Sequence, residues 1–182
     1  DKVEKRKNSF WRPNQSISPK REMMTMGPAK LGVKTVKDFY TKRNLLVCSK
    51  IWNEISKTKC SRIKAALYFA STNTFWHATR MRRFNVKGGM RPLTGTLYIP
   101  QISAECNVFK VLEKKLKELI KFYDSKAFKN CHNIDSYHLN ESATNLKSIP
   151  NSSVDYIFTD PPFGGNIYYS DCNVIWEGWL NK

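Results

Sequence analysis

The motif Asp160-Pro161-Pro162-Phe163 brings together, at one point of the chain, groups that could hold an amino group. It directly follows the β-rich run of residues 154–159. Two prolines cannot continue a parallel ladder, so a strand must stop there and the Pro161 carbonyl stays free of ladder pairing. Asp160 and that carbonyl could accept the two hydrogens of an exocyclic NH₂ group, while Phe163 could stack on a purine or pyrimidine. The alternative is a proline-rich turn after a core strand.

A second cluster, residues 80–92, combines five cations with two glycines and one aromatic ring. Its cations are Arg80, Arg82, Arg83, Lys87 and Arg91. Glycine allows the backbone to approach a phosphate closely, guanidinium groups match phosphate oxygens, and Phe84 could stack on a base. The cluster predicts contact with DNA or RNA, and a mobile solvated loop is the alternative.

The net charge of +16 belongs to the first part of the chain. Residues 1–100 hold 22 Lys and Arg against 5 Asp and Glu, whereas residues 101–182 hold 9 against 10. A basic half joined to a near-neutral half indicates an acidic polymer as partner, with a solvated basic surface as the alternative. A hydrophobic content of 41% argues against full-length disorder. The chain has no apolar run of about 18 residues and no apolar stretch of a secretory signal at its start, so we expect no membrane contact.

The elements that must position these clusters are predicted from hydrophobic periodicity. Amphipathic patterns predict helices over about residues 44–57, 62–80 and 107–123. Thr41 or Asn44 could cap the first helix, and Ser61 the second. Strands are predicted over about residues 94–100, 135–140 and 154–159, a short helix over 143–146, a turn over 149–153 and a further helix from about residue 173.

The catalytic motif lies in a longer stretch that resembles a known family. Residues 151–170, NSSVDYIFTDPPFGGNIYYS, resemble the catalytic segment of AdoMet-dependent amino-methyltransferases, which methylate adenine N6 or cytosine N4 in DNA. Residues 171–180, DCNVIWEGWL, are similar to a subgroup of bacterial modification methylases. The segments TGTLYIP (94–100) and VKDFYTKRNL (36–45) are also similar to that subgroup. The resemblance covers about residues 30–182 and is closest at the motif.

The resemblance implies a role for each residue of the motif. Asp160 and the Pro161 carbonyl would hold the target amino group, Pro162 would set the turn, and Phe163 would stack on a flipped base. Nearby candidates for the base pocket or for DNA contact are Asn166, Tyr168 and Tyr169. The reaction would transfer the sulfonium methyl group of AdoMet directly to nitrogen. Phe163 after Asp-Pro-Pro favours adenine N6 over cytosine N4 as the acceptor.

The resemblance also implies the fold and the cellular context. We expect an α/β fold: a partial Rossmann-like methyltransferase core over residues 129–182, preceded by a basic irregular arm over residues 1–30. A mainly helical region with a short β element, over residues 31–128, is the candidate DNA-contacting part. The implied setting is cytoplasmic DNA modification, with a restriction endonuclease as a partner.

Two departures from the family pattern concern the cofactor. No two of the eight glycines are spaced Gly-x-Gly, so the usual AdoMet-binding loop is missing from this sequence. We therefore expect an N-terminal piece of a longer protein that is inactive alone. Relatives often carry Gly-Asp after the preceding strand, where this chain has Asn140-Glu141-Ser142. Glu141 is a candidate contact to the cofactor, and a surface acid is the alternative.

Other functions remain open from the sequence. An RNA amino-methyltransferase and a non-catalytic nucleic-acid-binding module would both use the basic half. The five cysteines are widely spaced and odd in number, which is typical of reduced thiols rather than of a disulfide framework. The three histidines form no HxxxH or HxH pair, so we expect no metal site.

Overall fold

The computed structural model of this chain describes residues 10–130, 136–139, 141–161, 165 and 168–181. Its helices are α1 (Glu22–Thr25), α2 (Lys42–Ser56), α3 (Ser61–His77), α4 (Val108–Asp124), α5 (Lys126–Asn130), α6 (Tyr169–Cys172) and α7 (Val174–Leu180). Short 3₁₀ turns lie at Pro28–Leu31 and Val36–Phe39. None of these helices has both the length and the apolar character that crossing a membrane requires. The helices predicted over about residues 44–57, 62–80 and 107–123, and from about residue 173, are confirmed.

Side-chain caps explain where two of the long helices begin. The Thr41 hydroxyl accepts a hydrogen bond from the Asn44 backbone N–H at 3.2 Å, so Thr41 is confirmed as the cap of α2, and Asn44, the other predicted cap, lies within the helix. The Asn107 side chain caps α4 in the same way, accepting from the Lys110 N–H at 3.1 Å. The cap predicted for α3 is wrong, because Ser61 is already the first helical residue.

The expected α/β fold with a Rossmann-like core is wrong, since the described part of the chain contains no β-sheet. Its β-type pairs are isolated antiparallel bridges, such as Arg83 with Ser103. Residues 94–100, 136–139 and 154–159, where the sequence predicts strands, have no ladder partner, and residues 143–146 form no helix. A β-rich run becomes a strand only when a neighbour supplies hydrogen bonds and covers one face. No described segment does this for residues 154–159.

The core lies where α7 meets α2, α3 and the segment before α2. Trp179 of α7 is 1% exposed, and its indole N–H donates to the Tyr40 hydroxyl at 2.8 Å. Its ring centroid lies 4.5 Å from that of Phe75, 5.6 Å from Trp52 and 5.9 Å from Trp11. Burying large aromatic rings in this way is a main source of stability in a small domain. Residues distant in sequence therefore share one core.

Polar contacts fasten residues 10–39 to the helices at the other end of the sequence. Asp171 of α6 is 3% exposed; its carboxylate accepts from the Arg21 guanidinium at 2.8 Å and from the Met23 backbone N–H at 3.1 Å. Gly178 of α7 lies so close to Val36 that a Cβ at position 178 would come within 2.6 Å of Val36 Cγ2. The basic N-terminal stretch, from residue 10 onwards, is therefore packed against the core.

Candidate functional site

Asp160 and Pro161 follow an apolar segment, residues 154–158, that lies on the surface. Every residue from 151 to 161 is exposed. No hydrogen bond or ion pair joins the Asp160 carboxylate to another described residue. A carboxylate beside an exposed backbone carbonyl offers only acceptors, so an incoming group with two N–H donors could use both. The geometry therefore leaves Asp160 accessible to an external donor.

The rest of the predicted base pocket is only partly described. Pro162, Phe163 and Asn166 lie outside the described residues. Tyr168 and Tyr169, at the start of α6, are 37% and 53% exposed, so both phenol rings can be reached from solvent.

Backbone hydrogen bonds between residues 82–84 and 102–104 form a short ribbon at the base of the cluster, residues 80–92. The Phe84 N–H donates to the Ile102 carbonyl at 3.2 Å, and the Ala104 N–H donates to the Arg82 carbonyl at 2.8 Å. These bonds hold the two ends of the intervening loop side by side. Residues 83–91, which we call the basic loop, project from this ribbon.

The tip of the basic loop is shaped by residues that the charge pattern alone did not single out. The Asn85 side chain accepts from the Lys87 N–H at 3.1 Å, and the Asn85 carbonyl accepts from the Gly88 N–H at 3.1 Å. Gly88 and Gly89 adopt φ values of +87° and +69°, which favour glycine. An Asn three residues before Gly is a recognisable turn signal, and it explains why the glycines occur here.

Two of the five predicted cations, Arg80 and Arg82, donate hydrogen bonds to backbone carbonyls of the protein. The Arg80 guanidinium donates to the Asp38 carbonyl at 3.3 Å, and Arg82 Nε donates to the Met90 carbonyl at 3.0 Å. Both side chains are half-buried. Arg82 therefore braces the basic loop at Met90, and Arg80 ties the start of the cluster to Asp38.

The other three predicted cations, Arg83, Lys87 and Arg91, are exposed on the basic loop. Within the described ranges, no carboxylate lies within ion-pair distance of any of them. Phe84 and Val86, between them in sequence, are 50% and 87% exposed. Unpaired cations beside an exposed aromatic ring are the groups that contact phosphates and bases in nucleic-acid complexes.

The cofactor contact proposed for Glu141 is not built by the described residues. The Glu141 carboxylate accepts hydrogen bonds from the side chain and backbone of Ser148, which lower the pKa of Glu141. Its carboxylate is thus satisfied within its own loop. One cavity in the described part is lined by α3, α4 and α5, and another is lined by residues around Gln15 and Gly178. Neither of these two cavities includes Asp160 or Glu141.

Comparison of the chain with family models, curated proteins and solved structures finds no match. The likeness to amino-methyltransferases therefore rests on the sequence of the motif and its flanks. Two surfaces remain from which a function can be argued. One is the exposed Asp160-Pro161 pair, and the other is the basic loop with Arg83, Lys87 and Arg91.

Proposed function

We propose that this chain binds DNA through the basic loop and holds the exocyclic amino group of an extrahelical base, as the base-holding part of an AdoMet-dependent amino-methyltransferase. The observation that carries the proposal is the Asp160 carboxylate, exposed and free of partners among the described residues, next to Pro161 in the Asp-Pro-Pro-Phe motif. Adenine N6 is the favoured acceptor, and cytosine N4 is the second choice.

The chemistry of this pair suits an amino group. The Asp160 carboxylate and the Pro161 carbonyl would each accept one N–H of the base. That arrangement draws electron density onto nitrogen and leaves its lone pair directed away from both acceptors. A hydrogen bond to a carboxylate is stronger than one between neutral groups, so Asp160 would contribute most of the grip.

The basic loop supports DNA as the polymer that is bound. Arg83, Lys87 and Arg91 could contact successive phosphates, and contacts of this kind position a protein on the duplex without reading its sequence. The excess of cations in residues 1–100 would add long-range attraction. In this role the chain would act in the cytoplasm, together with a restriction endonuclease of the same site.

DNA binding is tested by replacing Arg83, Lys87 and Arg91 with glutamine and measuring the affinity for a labelled duplex by fluorescence anisotropy. We expect the affinity to fall about tenfold or more at low salt, and the slope of log K against log salt to decrease by about 1 for each phosphate that the loop no longer neutralises. The matched control replaces Lys20, Lys30 and Lys34, which are exposed on the N-terminal segment, with the same change of net charge. An equal fall in affinity in the two variants would contradict a specific role for the loop.

The proposed hydrogen bonds from the amino group to Asp160 and the Pro161 carbonyl can be tested without any cofactor. Duplexes are compared in which an adenine, or an N6,N6-dimethyladenine, faces an abasic site, so that either base is easily extruded. The dimethylated base has no N–H to donate, and we expect it to bind about tenfold more weakly, which corresponds to one or two hydrogen bonds to a charged acceptor. Asp160→Asn should weaken this preference, because a neutral amide oxygen is a weaker acceptor than a carboxylate, and Asp155→Asn, at an exposed site five residues earlier, should leave it unchanged.

The alternatives give different results in the same experiments. A non-catalytic binding module would depend on the basic loop but would bind both duplexes equally. An RNA amino-methyltransferase would show the amino-group preference with an unpaired adenine in RNA and not in DNA.

A further inference from the structure

The basic loop, residues 83–91, projects from a base that the core holds in place. Met81, two residues before the loop, is 1% exposed, and Pro92, directly after the loop, is also buried. The Arg83 N–H donates to the Arg91 carbonyl at 3.5 Å, so the two arms of the loop lie side by side where they leave the core. The position of the loop is therefore fixed by the fold.

The apex of the loop is a preformed turn that presents an apolar side chain beside a cation. Asn85 closes the turn through its carbonyl, which accepts from the Gly88 N–H at 3.1 Å. The two central residues of the turn are Val86, which is 87% exposed, and Lys87, which is also exposed. Turns favour Gly, Pro, Asn, Asp and Ser, so the turn itself does not require a valine. A preformed turn also loses little conformational entropy when it binds.

The dimensions of the loop match the major groove of duplex DNA. That groove is about 12 Å wide and about 8.5 Å deep and admits a two-stranded ribbon, whereas the minor groove is only about 6 Å wide. Two neighbouring chain segments already lie about 5 Å apart before their side chains are added, so the two arms are too wide for the minor groove. From Arg83 to Lys87 is four residues, which reach roughly 13 Å when extended. The apex can therefore touch base edges while Arg83 and Arg91 stay level with the phosphates.

The side chains at the apex suit the groups that bases present in the major groove. Guanine offers O6 and N7 as acceptors there, and the Lys87 ammonium group can donate to both. Thymine offers its C5 methyl group, and Val86 supplies an apolar contact for it. Arg83 and Arg91, which have no carboxylate partner within the described ranges, are left for the phosphates on either side.

We infer that the apex of the basic loop enters the major groove and distinguishes base sequences there, with Lys87 on a guanine and Val86 on a thymine methyl group. The inference rests on the proposed binding of DNA by the same loop. It refines that proposal by directing Lys87 to a base and leaving Arg83 and Arg91 on phosphates. Asp160 takes no part in it, so the test of the amino-group contact is separate.

Selection of binding sites from a library of duplexes with random sequence tests whether the apex distinguishes bases. We expect the wild-type chain to enrich a motif that contains guanine and thymine. Val86→Ala and Lys87→Met should each lose the preference at one or two adjacent positions of the motif, by about fivefold or more, and keep it at the others. The matched controls are Leu31→Ala and Lys30→Met, an exposed apolar residue and an exposed cation outside the loop, and they should leave the motif unchanged.

Arg83→Gln and Arg91→Gln separate phosphate contacts from base contacts. Each should weaken binding to all sequences about equally and reduce the slope of log K against log salt by about 1, because a phosphate contact carries no sequence information. Fluorescence anisotropy on the selected duplex and on an unselected one measures both effects.

Base analogues in the selected duplex test the two contacts atom by atom. Replacing guanine by 7-deazaguanine removes N7, and replacing thymine by uracil removes the methyl group. Each change should cost the wild type about fivefold in affinity. Lys87→Met should no longer respond to the first change, and Val86→Ala should no longer respond to the second.

Three results would overturn the inference and leave the proposed DNA binding intact. They are a wild type that binds DNA but enriches no motif, a motif without guanine and thymine, and analogue effects that are equal in the wild type and the two apex variants. Failure of the wild type to bind any duplex would instead contradict the proposed DNA binding, and the inference with it.

Discussion

The apolar segment, residues 154–158, and helix α7 are both rich in large hydrophobic residues, yet the segment is exposed and α7 is largely buried. Ile175 and Trp179 of α7 are 0% and 1% exposed, whereas Ile157 and Phe158 of the segment are 74% and 82% exposed. Helix α7 is covered because aromatic residues from three other parts of the chain converge on Trp179. A hydrophobic pattern therefore indicates which side chains favour burial, and residues distant in sequence determine whether those side chains are buried.

The largest difference between the two regions should appear when an aromatic ring is removed from each. Trp179→Ala should lower the free energy of unfolding by about 3–5 kcal/mol, because it leaves a cavity and an unpaired Tyr40 hydroxyl. Phe158→Ala should cost less than about 1 kcal/mol, because the ring is 82% exposed and its removal leaves no cavity. Urea unfolding followed by circular dichroism measures both. Similar decreases in the free energy of unfolding for the two variants would show that the segment belongs to the cooperative core, which would contradict the contrast with α7.

Replacing Asp171 of α6, which directly precedes α7, and Asp155 of the segment should give the next largest difference in the free energy of unfolding. Asp171→Ala should lower the free energy of unfolding by about 2 kcal/mol, because the Met23 N–H and the Arg21 guanidinium are left without their acceptor. Asp155→Ala, at an exposed position in the segment, should change it by less than about 0.5 kcal/mol. Thermal unfolding of both variants, with the wild type alongside, would measure the difference. A neutral Asp171→Ala would show that the N-terminal segment is not held by this carboxylate.

Two glycines sharpen the comparison further. An added methyl group at Gly178 would lie 2.6 Å from Val36 Cγ2, so Gly178→Ala should cost about 1–2 kcal/mol through overpacking. Among the described residues, no heavy atom lies within 4 Å of a Cβ built at Gly165, near the motif, and Gly165→Ala should be close to neutral. Thermal unfolding of both glycine variants, with the wild type alongside, measures the difference. Equal effects would mean that α7 does not approach Val36 as closely as described.

The smallest predicted effect is a dependence of stability on pH. Burial, assisted by the nearby Arg82 guanidinium, lowers the pKa of His77 in the folded chain. Unfolding therefore takes up a proton, so the stability is full above about pH 6.5 and declines as the pH falls through the folded pKa. His77→Gln should flatten the decline in the free energy of unfolding between about pH 7 and 5. The same replacement at exposed His138 is the control, and an unchanged slope for His77→Gln would contradict the assignment.

Local patterns predicted α2, α3, α4 and α7, but not the short helices α1, α5 and α6. The periodicity that predicts α2 and α4 gives their bounds to within about two residues, and the Thr41 cap follows from its side-chain chemistry. The basic loop was also predictable as an exposed cationic surface. The helices and the Thr41 cap depend on residues a few positions apart, whereas the base of the basic loop is also set by hydrogen bonds to Ile102 and Ala104.

Features that depend on distant partners were not predictable from local patterns. The strand expected over residues 154–159 needs a neighbouring strand, and no described segment provides one. The roles of Arg80 and Arg82 likewise depend on carbonyl groups of Asp38 and Met90, and composition makes all five cations of the cluster look alike. At the candidate site, residue types could be predicted, and the division between positioning and exposed cations could not.

The most direct test of the central claim, that Asp160 holds the amino group of a DNA base, is nucleoside mass spectrometry. The complete reading frame is expressed in a methylation-deficient bacterial host as wild type, Asp160→Ala and Asp155→Asn, and the host DNA is digested to nucleosides. The account predicts N6-methyladenine, or else N4-methylcytosine, with the wild type and Asp155→Asn and none with Asp160→Ala. Modified bases at equal levels with Asp160→Ala, or none from soluble wild-type protein, would contradict it.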